Sequence, residues 1–152
     1  MARLKNADEF LNPALESYLP FLDELILVDN NSTDNTIEIC QEFVSKYPKK
    51  VKFYQYTPDV LHYGLHRFHP HTNPHSLAYY YNWCFAKATY SHVVKVDDDH
   101  IALLSPYTKL VEKILRENKA GFYATRGLNI LKKDEKLGVY SSYPCTGKYG
   151  DH

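Results

Sequence analysis

The chain has 152 residues, 44% hydrophobic and 24% charged, which suits one soluble domain with a single sizeable core. Its 18 basic residues balance its 18 acidic ones, so nothing favours nucleic acid or an anionic membrane as the main partner. Three widely spaced cysteines (Cys40, Cys84, Cys145) fit buried or semi-buried thiols in a reducing compartment better than a disulfide framework. No apolar run reaches the ~20 residues that would span a bilayer.

Residues 1–6 read as the end of a strand, with Ala2 and Leu4 alternating with Arg3 and Lys5. A helix is predicted after it, with Asn12 as N-cap, Pro13 at the first helical position, and Leu15, Leu19 and Leu22 on its apolar face. Leu25–Val28 is a buried strand that ends in the acceptor-rich turn Asp29-Asn30-Asn31-Ser32-Thr33-Asp34. The next helix is expected to start at Ser32 or Thr33, to repeat Ile37, Cys40, Phe43 or Val44, and Tyr47, and to stop at Pro48. Val51–Tyr56 alternates as a strand.

Residues 57–75 carry four prolines or glycines and five of the eight histidines (His62, His66, His69, His71, His75). The prolines disrupt helical pairing of these imidazoles, so a lid-type loop is the expectation and a zinc site the lesser alternative. Ser76–Ala88 is predicted helical and leads into His92-Val93-Val94-Lys95-Val96-Asp97-Asp98-Asp99-His100. This stretch reads as a strand buried on both faces that runs into three carboxylates. A divalent cation held by oxygen ligands would relieve their repulsion, and a solvated acidic turn would explain them equally well. A further helix, opened by Ser105-Pro106 and running to Asn118, shows Leu110, Val111, Ile114 and Leu115 on one face. Two strands, 122–130 and 137–143, flank the charged turn Lys132–Lys136.

Strands and helices therefore alternate, the signature of an α/β fold with a parallel sheet, right-handed crossovers and a mixed C-terminal edge. Three strand ends, at Lys5-Asn6, at Asp29-Asn30 and at Asp97-Asp98-Asp99, should meet in one crevice beyond the carboxyl ends of the sheet. Together they offer what a nucleoside diphosphate and its metal require: acceptors and donors for a base, and carboxylates for a cation.

Three segments carry a resemblance to a known family: Asn6-Ala7-Asp8-Glu9-Phe10-Leu11, Leu25-Ile26-Leu27-Val28-Asp29-Asn30-Asn31-Ser32-Thr33-Asp34-Asn35-Thr36, and Val96-Asp97-Asp98-Asp99. They resemble family 2 glycosyltransferases over residues 1 to about 105, the last segment standing where those proteins carry an Asp-x-Asp motif. The resemblance implies a GT-A-like, Rossmann-like three-layer sandwich with a mostly parallel central sheet, formed by residues 1–152 as one nucleotide-sugar-binding domain with an incomplete acceptor half. It implies that Asp29 contacts the nucleotide base with Lys5, Asn6 and Asn30 nearby. Asp97 and Asp98 would lie at the donor, and Asp97 and Asp99 would hold Mn²⁺ or Mg²⁺.

The implied partners are a nucleotide-diphosphate sugar, a UDP-sugar foremost, and a saccharide or other hydroxyl acceptor. From the odd, widely spaced cysteines the expected location is the cytoplasm, free or peripheral to the inner face of a membrane. Asp151, the last carboxylate, is a candidate general base, although a surface terminus is the plainer reading. His100 is a candidate further ligand against a packed or solvated histidine. A non-catalytic nucleotide-binding fragment or degenerate copy of such a transferase is the alternative to an active enzyme.

Overall fold

The computed structural model describes residues 1–61, 70–117, 119, 121, 123, 130–133 and 136–139, which form two compact units divided after Arg116. In the first unit, β1 (Ala2–Leu4), β2 (Leu25–Asp29) and β3 (Val51–Gln55) make a parallel sheet in the order β1-β2-β3. Ala2 pairs with Leu27 and Leu4 with Asp29, while Leu25 pairs with Val51 and Asp29 with Gln55. On the free side of β1, Val96 bridges Ala2 in parallel. The chain thus steps outward from β1 to β3 and then returns to the other flank of β1, the topological switch at which open α/β sheets form a crevice.

Helices cover both faces, as the α/β expectation requires. Ala2, Leu4, Leu25, Leu27, Val51 and Val96 are buried against Leu11 and Leu15 of α1 (Leu11–Tyr18) and Cys40 and Phe43 of α2 (Thr36–Lys46). The opposite face, with Met1, Ile26, Val28 and Tyr56, packs on Tyr80 and Cys84 of α3 (Leu77–Phe85). Each fully buried leucine or valine contributes about 1.5–3 kcal/mol. α4 (Leu104–Glu117) reaches this core through Tyr107, whose ring lies 5.3 Å from Tyr18 and 4.8 Å from Phe21. Among the described residues no helix is long and apolar enough to cross a membrane.

Several predicted boundaries move, each for an identifiable reason. α1 begins at Leu11 with Phe10 as N-cap, so Asn12 is not the cap and Pro13 is the third helical residue. α4 begins at Leu104, which makes Pro106 third there too. Amides in a first helical turn have no carbonyl partner, so proline is tolerated throughout it and marks the turn rather than its first residue. α2 starts at Thr36, not at Ser32 or Thr33, because the intervening residues bond across to the loop after β1: Ser32 Oγ and Asp34 Oδ2 accept the amide hydrogens of Asn6 and Asp8, and the Thr33 amide donates to Asn6 Oδ1. Residues 92–96 form a single bridge at Val96 rather than a strand buried on both faces. Val94 and Val96 pack inward while Val93 is 38% exposed and Lys95 lies outside, so the apparently continuous run conceals an alternation.

In the second unit, β4 (Ile130–Lys133) and β5 (Lys136–Val139) pair antiparallel. Lys132 pairs with Leu137 and Lys133 with Lys136, so the strands continue into the predicted charged turn.

Candidate functional site

Three carboxyl ends converge around the switch between β1 and Val96. β2 delivers Asp29, which is 1% exposed. Its Oδ2 accepts the Ser32 amide hydrogen at 3.3 Å, while its Oδ1 is buried with no partner. Burial, and after it the Asp29 charge, push the Cys40 thiol up to about 12. Tyr80, whose hydroxyl donates to the Val28 carbonyl at 3.2 Å, is pushed up chiefly by burial.

The neighbouring amides serve mainly to tie loops together. Asn6 holds a left-handed φ of 51°, which asparagine tolerates better than most residues. Its Oδ1 accepts from the Thr33 amide at 2.8 Å, and its own amide donates to Ser32 Oγ at 2.9 Å. Ala7 N donates to Thr36 Oγ1 at 2.8 Å, and Asp8 N to Asp34 Oδ2 at 3.1 Å. Asp8 Oδ2 in turn accepts from Asn35. Burial works upward on the Asp34 carboxyl, but its hydrogen bonds from Thr36 and Asp8 outweigh it and hold the group below its ordinary value. Asn30 is 3% exposed, and its Nδ2 donates to the carbonyls of Tyr56 and Pro58 at 2.8 and 2.9 Å. Asn31, with φ 57°, reaches the Thr57 carbonyl and Asp59. Lys5 stands exposed at the end of β1.

The acidic segment begins one residue past Val96. Asp97 Oδ2 lies 2.8 Å from Lys95 Nζ and 3.6 Å from His100 Nδ1. His100 Nε2 lies 3.7 Å from Asp99 Oδ1, so one imidazole flanks both outer carboxylates. Asp98 is half-buried, and that burial, followed by the charges of Asp99 and Asp97, pushes its carboxyl up. Among the described residues no three His, Cys, Asp or Glu side chains are arranged to hold a metal ion. The donor set is nevertheless of the right kind for Mg²⁺ or Mn²⁺, which take one or two carboxylates and complete their shell with water and phosphate oxygens.

Of the histidine loop, His62, His66 and His69 lie outside the described residues. His71 and His75 are exposed, with His75 Nδ1 2.8 Å from the Asp59 carbonyl. Asp151 also lies outside the described residues. Sequence reasoning missed Arg3, whose guanidinium carbon sits 3.6 Å from the centre of the Tyr81 ring. The alternation of Arg3 and Lys5 with Ala2 and Leu4 resembles an ordinary solvated face. An arginine inside a strand that must pack on both sides is the signal that could have exposed it.

The family model described as Glycosyl transferase family 2 matches residues 4–148. No curated protein matches the chain significantly. Among solved structures, S. aureus TarS aligns with a TM-score of 0.50 at 21% identity, over 93% of this chain and 22% of that one. A crystal structure of S. aureus TarS 1–349 in complex with UDP aligns with a TM-score of 0.49 at 22% identity, over 78% of this chain and 32% of that one. The chain therefore spans less than a third of the length of either chain.

Proposed function

The chain belongs to glycosyl transferase family 2, and from that premise we propose that it transfers a sugar from a nucleotide-diphosphate donor, UDP-linked in the first instance, to a hydroxyl of a saccharide or other acceptor. The observation that carries the reading is Asp29 Oδ1, a buried acceptor without a partner at the carboxyl end of β2. An orphaned buried acceptor costs about 1–3 kcal/mol. A base imino hydrogen would satisfy this one, with Lys5 free to move over the ligand. Asn6 and Asn30 act in this reading through the backbone they fix, since their side chains already bond other loops.

Asp97 and Asp99 are the residues that would hold Mn²⁺ or Mg²⁺, with Asp98 between them. The ion would supply Lewis-acid stabilisation of the charge developing on the departing diphosphate. Lys95 holds the Asp97 carboxylate in a fixed orientation through its 2.8 Å contact. In the transfer, the acceptor oxygen bonds to the anomeric carbon as the bond from that carbon to the diphosphate oxygen breaks. The hydroxyl proton passes to a general base, for which Asp151 is the candidate from the sequence.

The test is calorimetric titration of a panel of nucleoside diphosphates and their sugars, with and without Mn²⁺. We expect cation-dependent binding of one nucleotide, abolished by Asp99→Ala and weakened roughly tenfold or more by Asp29→Asn, which removes the acceptor charge. A folded protein that binds none of them at millimolar ligand sinks the proposal. A second reading is a binding module that holds the donor without turnover. Acceptor-dependent release of nucleoside diphosphate by this chain would eliminate it.

A further inference from the structure

We propose that Arg3 is an anion-binding residue of the donor site, its guanidinium taking non-bridging oxygens of the diphosphate on the α3-facing side of the sheet with Lys95 beside it. This rests on the nucleotide-diphosphate reading above.

The placement follows from strand alternation. Ala2 and Leu4 point to the α1 and α2 face and Met1 to the α3 face, so Arg3 points to the α3 face as well. Val94 and Val96 belong to the α1 and α2 core, which leaves Lys95 on the same side as Arg3 and directs it to Asp97. Arg3 donates a hydrogen bond to the Tyr81 hydroxyl while stacking on that ring, and Tyr80 lies 5.7 Å away. Its Nε is buried without a partner, and among the described residues no carboxylate reaches ion-pair distance of it.

A guanidinium carries five donors in a fixed fork that matches phosphate and carboxylate oxygens. Stacking on Tyr81 is worth roughly 0.5–2 kcal/mol and fixes the plane of the fork, but it does not neutralise the charge. The second cation compounds the imbalance. Lys95 Nζ is itself engaged with Asp97 Oδ2 at 2.8 Å. The carboxylate at the β1–Val96 switch thus pairs with Lys95 and leaves Arg3 without a counter-charge among the described residues, and a bound anion there would supply that charge and a partner for Nε. A purely structural arginine, pinning α3 to β1 through Tyr81, accounts for the stacking but not for the absent counter-ion.

The test titrates the full chain, at fixed Mn²⁺, with inorganic pyrophosphate and separately with the four ribonucleosides, which carry no phosphate. Wild type is compared with Arg3→Gln and Arg3→Lys, each checked for folding by circular dichroism. Loss of one charge-assisted pair predicts pyrophosphate binding weakened about tenfold or more by Arg3→Gln and by a smaller factor by Arg3→Lys, with nucleoside binding unchanged. Unchanged pyrophosphate affinity in a folded variant overturns the proposal, as does parallel loss of pyrophosphate and nucleoside binding. Should Arg3→Gln fail to fold, Arg3→Lys alone decides, because it keeps the charge and loses the fork. Nucleoside binding with no Arg3 effect on pyrophosphate refutes this inference alone, whereas a wild type that binds neither ligand refutes the nucleotide reading with it.

Discussion

Thr36 is fully buried, and its Oγ1 takes the Ala7 amide hydrogen at 2.8 Å across 29 residues of sequence. It stands among the loop-to-loop bonds of Asn6, Ser32, Thr33 and Asp34, which lock the end of β1 against the end of β2. Replacing Thr36 with valine keeps the shape and strands a buried N–H, so urea unfolding should lose about 1–3 kcal/mol. Thr36→Ser, which keeps the oxygen, should lose less. At this scale the sequence was legible in kind but not in use. Asp29, Asp97 and Asp99 were singled out by their positions at strand ends, and those ends do converge. The Asn-Ser-Thr-Asp block signals a site in the sequence, yet most of its polar atoms close loops, because side-chain bonding across 26 or so residues has no local signature.

At the scale of elements, Glu24 links three segments. Its carboxylate, only 8% exposed, accepts from Lys52 Nζ on β3 and from the amide and hydroxyl of Thr89 beyond α3. Burial acts to raise its pKa, but the bonds from Lys52 and Thr89 outweigh it and leave the group below its ordinary 4.5. A depressed folded pKa means that the unfolded chain binds the proton more tightly. The stabilisation is therefore present in full above the unfolded value and drains away as pH falls through the folded one. Chemical unfolding measured between pH 6 and 3 should show wild-type stability falling more steeply than that of Glu24→Gln, and parallel slopes would refute this. The elements themselves were largely foreseen from apolar spacing, whereas their starts were not. Pro13 and Pro106 each sit two residues inside their helices, since a whole first turn lacks amide partners.

For the molecule as a whole, the parallel sheet with right-handed crossovers is legible in the alternation of strands and helices, whereas the order Val96-β1-β2-β3 is not, because alternation does not fix where the chain reverses. The sequence marks Arg3 only as an arginine inside a strand packed on both sides, and the completed sheet shows that its side chain meets the Tyr81 ring of α3. The two covered faces have a practical consequence through their thiols. Cys40 lies in the α1 and α2 core and Cys84 in the α3 core, both fully buried. Burial first of all pushes them up to about 12 and about 11, so neither is a thiolate at neutral pH. Each therefore resists alkylation until its own layer lifts from the sheet, which makes the pair a built-in clock for local opening. Pulsed maleimide labelling with mass spectrometry should show whether the layers breathe separately: unequal rates at Cys40 and Cys84 would mean that one helical layer peels away first, and equal rates that the sandwich opens as a single cooperative body.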